Sequence, residues 1–183
     1  MLTAKSGYDY NHLFSRINTR EGEYMPEKKY VKYVITEDIR TKQPPPPGFL
    51  KRLEDQRKAG NYTDSAHVLS LNDSIAKGAL YFDAVWMVDK HGAAPTNIEI
   101  AHSHDFDEIL GFFGNYRGNA RELGGEVEIW LEDEQYLLTK STIVFAPRGL
   151  SHGPISFRRI DSPILFFTSG NGTTYTRATG KED

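Results

Sequence analysis

From about residue 65 the chain alternates apolar and polar residues in short runs, and this pattern limits the fold more than any other feature. In "ALYFDAVWMV", Leu80, Phe82, Ala84, Trp86 and Val88 share one wholly apolar face. In "EVEIWLEDEQYLLTK", Val127, Ile129 and Leu131 alternate with Glu126, Glu128 and Trp130 before the acidic "EDE" turns the chain. Side chains on a strand point alternately to opposite faces, so the first run reads as a strand and the second as a hairpin. "NIEIAHSHDFDEIL", "STIVFAP" (stopped by Pro147), "SFRRI" and "PILFFTSG" supply further strands. Many short strands divided by turn signals predict an all-β sandwich or barrel. The 12% aromatic content suits pleated, half-buried surfaces.

The N-terminal third is different. "KKYVKYVIT" sets Val31, Tyr33 and Ile35 against Lys32 and Val34, predicting an edge strand. "KQPPPP" is an extended breaker, and "GFLKRLEDQRKAG" predicts a short helix closed by Gly60. The expected organisation is an arm over 1–65 with the edge strand and the helix, a β-barrel over 66–175, and a polar tail over 176–183. "NYRGNARELGG" predicts an exposed loop near one barrel end, and the polar "NGTTYTRATGKED" predicts a partly frayed terminus.

Composition removes several functions. A net charge of −3 attracts neither nucleic acid nor an anionic membrane. The absence of cysteine excludes disulfides, thiolate metal sites and thiol nucleophiles. "MLTAKSGYDY" has no apolar run that could form a signal peptide or a membrane span, so a soluble cytoplasmic protein is expected. Neither a phosphate loop nor a nucleophile elbow is visible: "GNGTT" lacks a lysine, and "LSHGP" lacks a strand-turn-helix setting.

The chemistry gathers at "AHSHDFDE". On an unbroken strand His102, His104 and Glu108 project from one face, with Phe106 and Leu110, while Ser103, Asp105 and Asp107 take the other. Two imidazoles and a carboxylate suit a transition metal. A histidine pair two residues apart is also found on solvated faces. The separate stretch "PRGLSHGP" favours the metal, because Pro147 ends a strand, Gly149 allows a sharp turn and His152 opens the next strand.

These two stretches resemble the paired motifs of the cupins. The first is His102, His104, Glu108 and Gly114; the second is Pro147, Gly149 and His152. The resemblance covers about residues 78–170 and omits the N-terminal third. Three family positions depart: no glycine precedes the first histidine, and Ser141 and Ser156 stand where glycine and asparagine are usual. The resemblance implies a jelly-roll barrel holding one divalent transition metal (Fe, Mn, Ni, Co or Zn) on His102, His104, Glu108 and His152. It also implies a small-molecule substrate and a homodimer, since cupins commonly pair through their sheets. Val85 and Met87, on the second face of their strand, would need covering in such a pair. For function it implies a dioxygenase-like oxidoreductase acting on an aromatic or oxo-acid substrate. A redox-neutral isomerase or lyase, and a non-catalytic metal or small-molecule binding module, are its alternatives on the same fold.

Five further residues are candidates for substrate contact. Phe106 and Phe112 share the ligand face, as pocket lining or as barrel core, and Phe82 and Trp86 follow the same logic. Arg158 has the parity of His152 and could bind a carboxylate inside the barrel, or lie at the surface beside Arg159. His12, His67 and His91 lack neighbours at ligand spacing and read as ordinary polar histidines.

Overall fold

The computed structural model describes residues 29–38 and 47–180. The chain divides into two compact units, residues 1–31 and 32–183, and the architecture below belongs to the second. His12 and the proline run lie outside the described residues. The predicted edge strand is absent: Val31–Tyr33 is a 3-10 turn with no buried residue. Among the described residues this segment pairs with no strand, and Tyr30, Tyr33 and Val34 are exposed. The helix is present as α1 (Pro47–Lys58). It closes on Gly60 at φ +67°, with Gly60 N–H donating to Arg57 O (3.1 Å) and Asn61 N–H to Gln56 O (3.0 Å). These two bonds satisfy carbonyls that the helix end would leave open.

Nine strands follow: β1 (Thr63–Leu71), β2 (Tyr81–Lys90), β3 (Thr96–Glu99), β4 (Glu108–Phe113), β5 (Glu122–Leu131), β6 (Glu134–Lys140), β7 (Thr142–Ala146), β8 (His152–Ile160) and β9 (Ile164–Gly170). They form a five-stranded sheet, β1-β2-β9-β4-β7, and a four-stranded sheet, β3-β8-β5-β6, with every pairing antiparallel. Two-sheet packing of this kind is the jelly-roll solution to a chain of short alternating strands. The core lies between the sheets. Met87, Leu110, Phe112 and Ile164 of the larger sheet meet Val127, Ile129, Ile155 and Phe157 of the smaller. α1 is held to β3 by Arg52 and Gln56, which both donate to Asn97 O at 2.8 Å.

Register shows which face of β2 is inside, and it is not the wholly apolar one. Across the larger sheet Trp86 pairs with Leu165, Ala84 with Phe167, and Phe82 with Ser169. These rows continue onto Phe113, Gly111 and Ile109 of β4. They form the outer face, where Trp86 is 40% exposed, while Met87 is buried and Val85 packs against the core. The face that turns inward carries Val85 and Met87 beside Asp83 and Asp89, so it is the less apolar of the two, and alternation alone points to the wrong side. Phe82 and Trp86 are therefore not barrel lining, and Val85 and Met87 are already covered.

Candidate metal centre

His102 and His104 do not lie on one unbroken strand. β3 ends at Glu99 and β4 begins at Glu108, and the intervening chain crosses from the smaller sheet to the larger. Strand parity therefore does not explain their convergence; a short bridge between the two motifs does. His102 and His152 exchange main-chain hydrogen bonds of 3.0 and 2.8 Å. Gly149 N–H donates to His104 O at 3.0 Å, and Arg148 N–H to Asp107 Oδ1 at 2.9 Å. Asp107 thus braces the turn of the second motif and contacts no imidazole. Gly149 has φ +83°, the left-handed backbone this turn requires. Gly114 closes the first motif for a different reason: a Cβ there would lie 1.9 Å from Leu123 O.

The four expected ligands meet. His102, His104, Glu108 and His152 are each no more than 2% exposed, and one ligand atom from each lies within 4.8 Å of all the others. Every imidazole gives its Nδ1 hydrogen to a main-chain carbonyl: His102 to Ile100 (2.8 Å), His104 to Thr176 (2.5 Å) and His152 to Leu150 (3.1 Å). These acceptors assign the tautomer, leaving each Nε2 with a lone pair turned inward. His102 Nε2 lies 3.1 Å from His104 Nε2, which lies 3.2 Å from Glu108 Oε2. His152 Nε2 is 2.9 Å from the same oxygen yet out of line for a hydrogen bond, and Glu108 Oε1 is buried with no partner. Lone pairs and a carboxylate packed this closely away from water form a group that could hold a cation between them. The donor set fits a divalent first-row metal, because three neutral imidazole nitrogens and one carboxylate suit ions from Mn to Zn.

The electrostatics agree. Burial lowers the His102 pKa to about 3, with the Arg177 charge acting in the same sense and the bond to Ile100 opposing it, so the ring stays neutral. Burial raises the Glu108 pKa, whereas hydrogen bonding and positive charge on the His104 and His152 side override it and hold the carboxyl at about 2; where both Nε2 atoms keep their lone pairs, that positive charge is a metal's to supply.

The remaining candidates separate. Phe106 stacks on His104, with ring centroids 4.6 Å apart and 12° between planes, in space that Gly170 and Gly172 leave open. Phe112 lies deeper, fully buried against Phe166. Arg158 is outside, paired with Glu126 at 3.0 Å and Glu128 at 3.1 Å. Its parity with His152 fails because Gly153 takes φ +86° and the β5–β8 register shifts beside it. Trp86 lines an outer cleft of about 290 Å³ with Phe113, Pro163 and Leu165. His67 lies between Asp83 (2.8 Å) and Asp38 (2.9 Å), and His91 bonds Asp64 (2.7 Å); among the described residues neither belongs to a group that could hold a metal.

Sequence reasoning missed the tail. Residues 171–180 pack across the site: Thr176 O orients His104, Ala178 N–H donates to Ser103 O (2.8 Å), and Ser103 bonds Thr179 (2.9 Å). Tyr175 places its hydroxyl 3.1 Å from His102 Nε2, and burial, followed by the charge of Glu99, pushes its pKa above the ordinary value. A polar stretch has no periodicity to read; the pair Tyr175 and Arg177, alternating in an extended run, was its one signal.

The architecture is a two-sheet antiparallel jelly roll, and it brings three histidines and a glutamate, from the positions of both motifs, to one buried place. No family model matches the chain, and no curated protein matches it in sequence. Among solved structures it is similar to a cupin superfamily protein from Desulfitobacterium hafniense (12% identity, 76% of this chain and 99% of that one, TM-score 0.41). It is also similar to a cupin protein from Bacteroides fragilis (20% identity, 64% and 86%, TM-score 0.40). A third similarity is to DMSP lyases (13% identity, 57% of this chain, TM-score 0.36), where the match spans only 45% of the other chain. Among the described residues no helix is long and apolar enough to cross a membrane.

Proposed function

We propose that this chain is a metal-dependent cupin enzyme of dioxygenase type, acting in the cytoplasm on a small aromatic or oxo-acid substrate. One observation carries the reading: all three imidazoles spend their Nδ1 hydrogens on carbonyls, so three Nε2 lone pairs and Glu108 face one point. A divalent metal bound there supplies Lewis acidity or a redox centre at the coordination positions that the four side chains leave open. The chain's own part is to hold those ligands and to keep the site dry. Phe106 walls His104 on one side and the 171–180 segment covers the other, which protects a reactive centre from water. The test is oxygen consumption by the Fe(II)-loaded protein on a panel of aromatic diols and oxo-acids. Uptake that depends on both iron and substrate supports the reading. Turnover that persists without oxygen, with Zn or Mn in place of iron, replaces it with an isomerase or lyase. The near-complete burial of all four ligands favours a second reading, a non-catalytic metal-binding module, and metal retention without turnover on any substrate would establish that instead.

We also propose a homodimer formed through the larger sheet. Its outer face carries Trp86, Ile109, Ile143 and Phe145, the last two 60% and 58% exposed, around Phe167. Exposed apolar side chains gathered on one sheet face are the kind of patch that marks an association surface. A second copy presents the same apolar rows and is self-complementary about a two-fold axis.

A further inference from the structure

The tail adds a group to the metal centre that neither motif contains. The Tyr175 hydroxyl lies 3.1 Å from His102 Nε2, and its ring sits 5.0 Å from the His104 ring and 5.2 Å from Tyr81, centroid to centroid. Arg177 Nε donates to the same hydroxyl oxygen at 3.0 Å. Arg177 is itself held by an ion pair with Glu99 (2.6 Å) and by donation to Gly180 O (3.1 Å). The hydroxyl oxygen therefore accepts from Arg177, and its own hydrogen is directed at the ligand cluster. A lone pair on His102 Nε2 that is given to a metal cannot also accept a hydrogen bond. With metal present the Tyr175 hydrogen requires a different acceptor in the same place, because leaving a buried donor unpaired is costly. The imidazole lone pairs are committed to the metal, and the Tyr175 hydroxyl meets the cluster at His102 rather than at Glu108, so the acceptor that suits its hydrogen is the oxygen of an incoming ligand beside His102.

Building on the assignment of the four residues as metal ligands, we propose that Tyr175 is a substrate-contacting residue. Its hydroxyl donates a hydrogen bond to the oxygen of a small oxyanion, a carboxylate or enolate, that binds beside His102. Arg177 is the positioning residue that aims this hydroxyl, and its charge favours an anion. No proton transfer is involved, and the role is one of binding and orientation. The Glu99–Arg177–Tyr175 chain therefore selects for anionic oxygen ligands at a metal that four neutral-to-anionic side chains would otherwise make less attractive to them.

The test uses the full-length chain loaded with Co(II), in wild type, Tyr175→Phe and Arg177→Met. Cobalt content is measured first, then acetate is titrated while the visible cobalt bands are followed. Each protein is expected to hold about one Co(II), with acetate binding about tenfold weaker in Tyr175→Phe and weakened to a lesser degree in Arg177→Met. Wild-type cobalt content in a variant shows that its site is folded. Full cobalt content with unchanged acetate affinity in Tyr175→Phe overturns this proposal alone. A wild type that retains no cobalt overturns the metal assignment and the proposal together. A phenolate charge-transfer band in the Cu(II)-loaded wild type, lost in Tyr175→Phe, also overturns the proposal, because Tyr175 would then be a ligand.

Discussion

At the scale of residues, the site consists of inward lone pairs held in place by carbonyls. His104→Ala and His152→Ala are each expected to lower metal affinity by about a hundredfold or more, exceeding the usual effect of removing a residue that merely orients a ligand. His67→Ala, whose ring bonds Asp83, is expected to leave metal content unchanged; elemental analysis of the three variants checks this. The metal-free protein has a definite acid response. His102 has a folded pKa of about 3, below its ordinary value near 6.5, so the unfolded chain binds its proton first and stability falls as pH drops through the interval from about 6.5 to 3. Glu108, held at about 2, adds stability above its ordinary pKa that is lost as pH falls toward 2. Both signs agree. Denaturant midpoints of the metal-free protein are therefore expected to decrease steadily on acidification from neutrality, and a flat profile between pH 7 and 4 would contradict this. Gly114→Ala places a methyl against Leu123 O and is expected to destabilise by about 2 kcal/mol or more.

At the scale of elements, the meeting of the four candidate ligands and most strands were legible in the sequence, for physical reasons that also explain the misses. The β5–β6 hairpin is read directly because Val127 and Ile129 alternate with glutamates over one buried face, and "EDE" turns the chain at Glu132, φ +51°. Parity failed wherever the backbone ceased to be a plain strand. It failed between Glu99 and Glu108, at Gly153, and over Val31–Tyr33, where alternation without a neighbouring sheet formed a 3-10 turn. β2 defeated it differently, because its more apolar face, with Phe82, Ala84 and Trp86, is the outer one. The tail was illegible because main-chain contacts hold it: Thr176 O, Ala178 N and Gly180, whose missing Cβ would lie 2.1 Å from Ala101 O, leave no mark on hydropathy. Removing residues 173–183 is expected to lower metal affinity about tenfold, since His104 loses the carbonyl that orients its ring. Isothermal titration with Zn(II) measures the change, and unaltered affinity would show that the ring is held without Thr176.

At the scale of the whole molecule, the barrel is expected to stand without its metal. Its buried core runs through both sheets and includes Leu110, Phe112, Ile129, Ile155 and Phe157, all at or near full burial, so the ion is not needed to build it. The apolar outer face is expected to give a species of about twice the 20.7 kDa chain mass in light scattering. Phe145→Lys combined with Ile143→Lys is expected to produce monomers that still bind metal, because both side chains point away from the site. The central claim is that three histidines and Glu108 hold a divalent metal. Elemental analysis of the protein, as purified and after incubation with Fe, Mn, Co, Ni and Zn salts, tests it most directly. The account predicts about one ion per chain, lost in His104→Ala. No bound metal under any of these conditions would contradict it.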